Sequence, residues 1–195
     1  MNSENNIDII ADGMYVREDR AQQIYYGAIW YTQGGALLAP ENGTINGQDD
    51  FDPSKTVVGY TPGTIWQTTV EGWAADGKIK EARATGDQTE SIVALQNGKI
   101  DAFLTDSPVV ENLMKFQPET LKGLKLCSNY KDTEAEIGRI APSVKFGNED
   151  FMKDINKVVA EMRDEGVLDQ IYEKYGLDPK LHAITNDQKD NGLNK

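Results

Sequence analysis

The sequence predicts an α/β fold in which a parallel sheet carries helices on both faces. Short apolar runs alternate with helical segments along most of the 195 residues. Turn residues, above all Gly and Pro, separate the two kinds of segment. Polar residues that can bind a ligand directly follow three of the predicted strands, which is where open α/β sheets bind ligands.

The predicted strands are short and rich in β-branched residues. Residues 56–60 and 100–104 are the clearest, because each is apolar and each leads into a helix start. The other strands are predicted at residues 7–11, 34–39, 78–84 and 124–127. The strand at 7–11 ends beside Asp12 much as the strand at 100–104 ends near Asp106. Two similar lobes would produce this weak internal echo, and so would chance.

Helices are predicted where a capping residue precedes apolar residues at helical spacing. Thr64, Asp87 and Asn148 are among the predicted N-caps. An apolar stripe in the fifth helix, from Phe151 through Val158 and Val159 to Met162, indicates a core-facing surface. The predicted helices lie at residues 17–23, 65–75, 88–96, 107–116, 149–162 and 167–174. The polar residues after 178 predict a mobile tail.

Composition excludes several classes of function. The formal net charge of −12 argues against nucleic acid as a partner, because phosphates require basic residues. No run of about 18 apolar residues occurs, so no membrane-spanning segment is predicted. The first six residues lack a basic start and an apolar stretch, so no signal peptide is expected in this chain. The protein is then cytosolic, or its signal has been lost.

Catalysis and cofactors have little support. The one cysteine, Cys127, lies in an apolar stretch that predicts a buried strand residue, and the one histidine, His182, stands near the tail. These two residues form neither a disulfide nor a zinc site by spacing, and no nucleophile motif is present. We therefore expect no cofactor, no metal and no enzymatic turnover.

Three strand exits offer recognition groups for a zwitterion. Arg20 can bind a carboxylate through two parallel hydrogen bonds. The backbone N–H groups near Thr64 and Ile65 can face an anion at a helix start. Asp106 can accept hydrogen bonds from an ammonium group, although it is about equally suited to capping the next helix. Tyr15, Trp30 or Trp66 would supply an apolar or cation–π wall.

The chain resembles the family 3 extracellular solute-binding proteins, which are receptors of polar amino acid ABC transporters. Residues 6–14 resemble the family's strand and its GM turn, and residues 18–21 stand where its x-x-R occurs. Residues 96–102 resemble the L-x-x-G-K-x-D-A stretch, with Asp106 at the expected distance. Residues 163–176 resemble the closing stretch DG-x-L-x-x-I…KW-x-G.

The resemblance implies a type II periplasmic binding protein fold, with two α/β lobes and a ligand cleft. Lobe 1 is expected at residues 1–39 and 137–180, lobe 2 at 40–136, and a polar tail at 181–195. The implied partners are an amino acid and the membrane permease of an ABC transporter. The implied location is periplasmic, or extracellular with a membrane anchor.

The resemblance also assigns roles to residues. It implies that Arg20 binds the α-carboxylate and that Thr64 and Ile65 assist from the second lobe. It implies that Asp106 binds the α-ammonium, while the Gly13 carbonyl and the Tyr15 backbone help to hold the ligand.

The chain departs from the family pattern at its start. About sixty residues that usually precede the position of Ile7 are absent, so we expect lobe 1 to be incomplete, with an exposed sheet edge. The identity of the ligand is left open.

Other readings remain. One is a ligand-sensing domain of a receptor, and another is a truncated paralogue that binds nothing. A third is a periplasmic dehydratase of the same fold, with Asp106 or Glu136 as its general acid.

Overall fold

The computed structural model describes residues 7–133 and 137–193. The chain forms two compact units: unit 1 is Met1–Gln33 with Ile137–Lys195, and unit 2 is Gly34–Glu136. The first boundary differs from the predicted one. Residues 34–39, which were assigned to lobe 1, lie in unit 2 because they form a strand inside its sheet.

Strands and helices are numbered in chain order. The strands are β1 (Tyr25–Tyr26), β2 (Tyr31–Gln33), β3 (Gly35–Pro40), β4 (Val57–Tyr60), β5 (Glu81–Ala84), β6 (Ala102–Asp106), β7 (Leu124–Leu126), β8 (Gly138–Ile140) and β9 (Ser143–Val144). The helices are α1 (Glu18–Ala21), α2 (Ile65–Ala75), α3 (Gln88–Gln96), α4 (Ser107–Phe116), α5 (Glu149–Asp164), α6 (Val167–Tyr175) and α7 (Pro179–His182). Short 3-10 turns lie at Gln48–Asp50, Pro118–Leu121 and Asn186–Gln188.

Unit 2 is built on a five-stranded sheet with the order β5-β4-β6-β3-β7. Strand β4 pairs in parallel with both β5 and β6, as the alternation of strands and helices predicts. Strand β3 runs antiparallel to β6 and β7, so the prediction of a wholly parallel sheet is wrong. Strand β3 precedes the alternating strands and helices from β4 to β7, so no crossover helix leads into it and that alternation does not set its direction.

The unit 2 sheet is covered on both faces, which confirms the prediction for this unit. Alternate residues of β3 point to opposite faces, so Leu37 and Leu38 join different apolar clusters. The cluster that contains Leu37 includes Trp66 and Val70 of α2. The cluster that contains Leu38 is covered by α3 and α4. The α2 and α4 bounds agree with the predicted ones, and the Asp87 carboxylate accepts the Glu90 N–H at the start of α3, as predicted.

Unit 1 is organised differently. Its strands form two separate antiparallel pairs, β1 with β9 and β2 with β8. The predicted strand at residues 7–11 is wrong. Within the described part of this segment, Ile10 alone forms a bridge, by exchanging backbone hydrogen bonds with Ser143. A strand needs consecutive pairs of this kind, and the segment makes one.

Helix α5 buries only part of its predicted apolar stripe. Met152 and Val159 are buried, but Phe151 and Val158 are 43% and 51% exposed. The buried side of the helix also carries Asn156, whose side chain accepts the Ala28 N–H at 2.7 Å. The helix is therefore rotated toward a polar contact, which turns one flank of its apolar arc outward. Asn148 precedes α5 but makes no side-chain capping bond, contrary to expectation.

The predicted mobile tail packs against unit 1. His182 is 1% exposed, and its Nδ1 lies 2.8 Å from the Thr32 carbonyl oxygen. Asn191 is also buried, and its amide donates to the Gly27 carbonyl at 2.8 Å. The tail prediction is wrong because it counted polar residues and had no means of seeing these specific backbone partners.

Candidate functional site

The predicted ligand groups of unit 2 meet at one edge of its sheet. Strands β4 and β6 are parallel neighbours, with Val58 opposite Ala102 and Gly59 opposite Phe103. Their carboxyl ends therefore lie side by side. The turn after β4 and the last residue of β6, Asp106, are brought together in this way.

The turn that starts α2 leaves helix N–H groups for an anion. Gly63 has a φ of 80°, a left-handed conformation that favours glycine. The Thr64 hydroxyl donates to the Thr61 carbonyl at 2.7 Å and so stabilises the turn. Thr64 was expected to cap the helix, but among the described residues no side chain caps the first N–H groups of α2. The N-terminus of this helix of 11 residues suits a carboxylate.

A buried hydroxyl in the same turn lacks a partner. The Thr61 Oγ1 atom is inaccessible to solvent and forms no hydrogen bond with the described residues. Buried polar atoms are normally satisfied, so an orphan at this position fits a ligand or water that completes it. The sequence placed Thr61 in the turn but gave no signal that its hydroxyl would be buried.

Asp106 is half-buried, and its carboxylate does not cap α4. The residue occupies the N-cap position of that helix, yet its side chain forms no capping hydrogen bond. Its Oδ1 instead accepts the indole N–H of Trp66 at 2.9 Å. The alternative role that the sequence left open for Asp106, as the cap of the next helix, is therefore not seen.

Unit 1 carries the predicted anion partner, Arg20, in the short helix α1. Arg17 beside it forms a salt bridge with Asp19, and both side chains are exposed. Arg20 is half-buried and forms no salt bridge among the described residues. Burial raises the pKa of the Tyr26 hydroxyl, and the nearby Arg20 charge acts in the opposite direction. Arg20 is thus a cation whose partner is a neutral phenol, which suits a residue that receives an anionic ligand.

The backbone groups near Gly13 are partly engaged inside unit 1. The Gly13 N–H donates to the Asp12 carboxylate at 2.6 Å, so Asp12 has the structural role expected of an Asp before a turn. The Tyr15 carbonyl accepts the Tyr26 hydroxyl at 2.9 Å. This bond competes with the predicted role of the Tyr15 backbone, while the role of the Gly13 carbonyl stays a prediction.

The aromatic residues that were considered as a ligand wall mostly pack inside the protein. The Tyr15 ring lies so close to Gly138 that a Cβ there would be 2.0 Å from its Cε1 atom. Trp30 packs against the apolar cluster of Val159, Leu168 and Tyr172. Trp66 lies in the unit 2 core. The sequence identified these residues as candidates but did not show which would face a ligand.

Other chemistries find no support in the described residues. They contain no group of three or more His, Cys, Asp or Glu side chains that could hold a metal ion. Cys127 is buried, and burial raises its pKa to about 11, so it is protonated at neutral pH and a poor nucleophile. Glu136, one predicted general acid, lies outside the described residues. Among the helices described, none has the length and apolar content needed to cross a bilayer.

Two compact units, one of them built on a five-stranded sheet with helices on both faces, are typical of two-lobed solute-binding proteins. The model of the bacterial extracellular solute-binding proteins, family 3, matches residues 2–178, and the chain belongs to this family.

Relatives agree with this assignment. The probable histidine-binding protein of Campylobacter jejuni is 25% identical over 173 residues, which are 88% of this chain and 63% of that protein. An ancestral arginine-binding protein, solved with arginine bound, is 26% identical with a TM-score of 0.71, covering 87% of this chain and 71% of that one. The chain thus spans about three fifths of the length of its curated relatives.

One structural neighbour is related to an enzyme. It is the ancestral amino acid-binding protein AncCDT-1, described as a precursor of cyclohexadienyl dehydratase. It is 21% identical with a TM-score of 0.70, and covers 88% of this chain and 70% of that one. At this identity the likeness shows the fold alone, so it does not support the alternative that this chain is a dehydratase.

Proposed function

We propose that this chain is the solute-binding component of an ABC importer and binds a polar amino acid or similar zwitterion. The observation that carries the proposal is the juxtaposition, in unit 2, of an uncapped helix start and the Asp106 carboxylate. The helix start binds an α-carboxylate, and Asp106 binds an α-ammonium. The names of the relatives, which include histidine- and cystine-binding proteins, support an amino acid as the ligand class.

Each recognition residue has a distinct role in this proposal. Arg20 of unit 1 binds the α-carboxylate, with the backbone N–H groups at Thr64 and Ile65 as further donors. The Gly13 carbonyl assists Asp106 with the ammonium group. Because a zwitterion carries full charges at both ends, loss of either charged side chain leaves one ligand charge without a partner.

The proposal involves no chemical turnover. Binding of the ligand shifts the protein to a ligand-bound conformation, which the permease of the transporter recognises. The proposed location, periplasmic or on the outer surface of the cell, follows from the family. Family members of this kind deliver solutes from outside the cytoplasmic membrane, so the permease is the proposed macromolecular partner.

A thermal-shift screen tests the proposal. The purified chain is melted with each proteinogenic amino acid, with ectoine and with several opines. A ligand at about 100 times its dissociation constant adds roughly 2.7 kcal/mol to stability, which is easily detected. We expect one ligand, or a small group with similar side chains, to raise the melting temperature.

Two pairs of variants link the shift to the predicted residues. We expect Arg20→Ala and Asp106→Ala to abolish the shift. Arg17→Ala is the matched control for the first, because Arg17 flanks the same helix but forms an exposed salt bridge. Asp76→Ala is the control for the second, because Asp76 pairs with Lys78 at the surface. A shift that survives both Arg20→Ala and Asp106→Ala would contradict the proposed site.

A further inference from the structure

Trp66 connects the hydrophobic core of unit 2 to the proposed ammonium group partner. It is the second residue of α2 and is 1% exposed. Its indole packs in the cluster that contains Leu37 and Leu104. Its N–H is the group that donates to Asp106 Oδ1 at 2.9 Å.

The start of β3 lies close to the indole ring. A Cβ on Gly35 would lie 2.8 Å from the Trp66 Cη2 atom and 2.9 Å from Cζ3. Such distances are shorter than carbon contacts allow, so the ring position requires glycine at residue 35. The Gly35 N–H in turn donates to the Asp132 carboxylate at 3.0 Å. The ring is thus buried in the core and packs closely against the backbone of β3 at Gly35.

We propose that Trp66 is a positioning and specificity-determining residue that holds the Asp106 carboxylate ready for the ammonium group of the ligand. The inference rests on the proposed function of Asp106. A short side chain with two free torsions would otherwise lose conformational freedom when the ligand binds. A donor that is fixed by the core restricts the carboxylate before the ligand binds, so less conformational entropy is lost on binding. The restriction is effective because a hydrogen bond to a carboxylate is stronger than one between neutral groups.

Trp73 gives a matched control within the same helix. It also lies in α2 and packs against the aromatic rings of Phe51 and Tyr130, with ring centroids 5.2 and 6.4 Å away. Trp66→Phe and Trp73→Phe delete the same atoms from two tryptophans on one helix. The Trp66 substitution alone removes the donor to Asp106 while retaining an aromatic ring.

The test is a double-mutant cycle measured by titration calorimetry with the amino acid found in the thermal screen. We expect Trp66→Phe to weaken binding by up to about tenfold, because the Asp106 side chain then loses its conformational freedom only when the ligand binds. Trp73→Phe is expected to change affinity less than about twofold. In an Asp106→Asn background, Trp66→Phe is expected to have less than about a twofold effect, because the charged acceptor is gone. If Trp66→Phe weakens binding equally in both backgrounds, the proposal is overturned, because the loss would then come from ring packing and not from the bond to Asp106.

A second measurement reports specificity. The N-acetylated form of the same amino acid has no ammonium group, so the native protein is expected to discriminate strongly against it. Trp66→Phe should reduce this discrimination about tenfold, whereas a purely structural loss would weaken both ligands equally and so overturn the proposal.

The two proposals fail in different ways. Binding that Trp66→Phe leaves unchanged would overturn the role of Trp66 and leave the proposed function intact. If no amino acid binds a chain that still melts cooperatively, both are overturned. The hydrogen bond itself is checked without ligand, because Asp106→Ala should shift the Trp66 indole N–H resonance and leave that of Trp73 unchanged.

Discussion

The two units differ in how their apolar residues are covered. In unit 2, one five-stranded sheet has a helix layer on each face, and its strand residues divide into two buried clusters. In unit 1, the described strands form two-stranded pairs, and one cluster of Val159, Leu168 and Tyr172 forms beside α5 and α6. Among the described residues, eight exposed large apolar side chains lie in unit 1, and four lie in unit 2, namely Val93, Met114, Phe116 and Leu126.

The same difference is seen in how firmly each unit holds its proposed ligand-binding side chain. The Asp106 carboxylate is oriented by a tryptophan that the core of unit 2 holds in place. Arg20 stands in a helix of four residues with no buried member. We infer that the core of unit 2 fixes the Asp106 carboxylate, whereas α1 gives the Arg20 side chain no comparable support.

The largest expected difference between the two units is in the cost of removing a phenylalanine side chain. Phe103 is fully buried in the unit 2 sheet, so Phe103→Ala should cost about 3–5 kcal/mol in the free energy of unfolding. Phe151→Ala on α5 should cost less than about 1 kcal/mol, because that ring already contacts solvent. Urea unfolding of both variants measures the difference. Similar costs at the two positions would show that the α5 flank is covered in solution.

Amide hydrogen exchange compares the units directly. Strands β4 and β6 each have sheet partners or helices on every side, whereas β1 and β2 each have one described partner. We expect the slowest amides of unit 2 to be protected at least about 30-fold more than those of unit 1, about 2 kcal/mol in opening free energy. Equal protection in both units would contradict the view that unit 1 is the weaker one.

Sequence reasoning succeeded where local signals agree with each other. Helix α2 was predicted with its bounds because a turn, a helix start and an apolar period all coincide between Thr61 and Ala75. Helix α4 was predicted for the same reason, with Pro108 in its first turn. In unit 1 the helices α5 and α6 were predicted close to their bounds, but the strands were not predicted. These strands of two or three residues are defined by partners more than a hundred positions away, which no local pattern reveals.

The candidate site divides in a similar way. The chemical types at Arg20 and Asp106 follow from strand exits and from the family resemblance. The Trp66 bond to Asp106 could not be predicted from the sequence, because the two residues are 40 positions apart and the bond depends on how the indole ring is oriented in the folded protein. The lack of a capping bond at Thr64 was equally hidden, because its hydroxyl has two acceptable partners in sequence and the structure selects the Thr61 carbonyl.

His182 tests whether the chain after α6 contributes to unit 1. We expect His182→Ala to destabilise the protein by about 2 kcal/mol, because it removes a buried ring and leaves the Thr32 carbonyl without that contact. Leu181→Ala is the matched control, since Leu181 precedes it in α7 and is largely exposed. Thermal melts of the two variants give the comparison. A His182→Ala protein as stable as the control would restore the prediction of a mobile tail.

Alkaline pH is expected to weaken both units, and unit 2 at lower pH than unit 1. Burial raises the pKa of Cys127 in unit 2 from 9.0 to about 11, and that of Tyr172 in unit 1 from 10.0 to about 12. Both groups are neutral in the folded state while the unfolded chain ionises, so their stability contributions are complete below pH 9 and 10 and are lost as pH rises toward 11 and 12. At a pH of about 10.5 the losses are about 2 kcal/mol for Cys127 and about 1 kcal/mol for Tyr172.

Two substitutions separate these contributions. Cys127→Ala should flatten the loss of stability from about pH 9 upward, and Tyr172→Phe should flatten it only from about pH 10. Each variant also loses a fixed amount of packing or a hydrogen bond, such as that from the Tyr172 hydroxyl to the Trp30 carbonyl at 2.8 Å. Urea midpoints are therefore compared as a slope against pH, in which such fixed losses cancel. If both variants retain the slope of the native chain, neither group is buried in solution as it is in the structure, and the ranking of the two units by alkaline sensitivity does not hold.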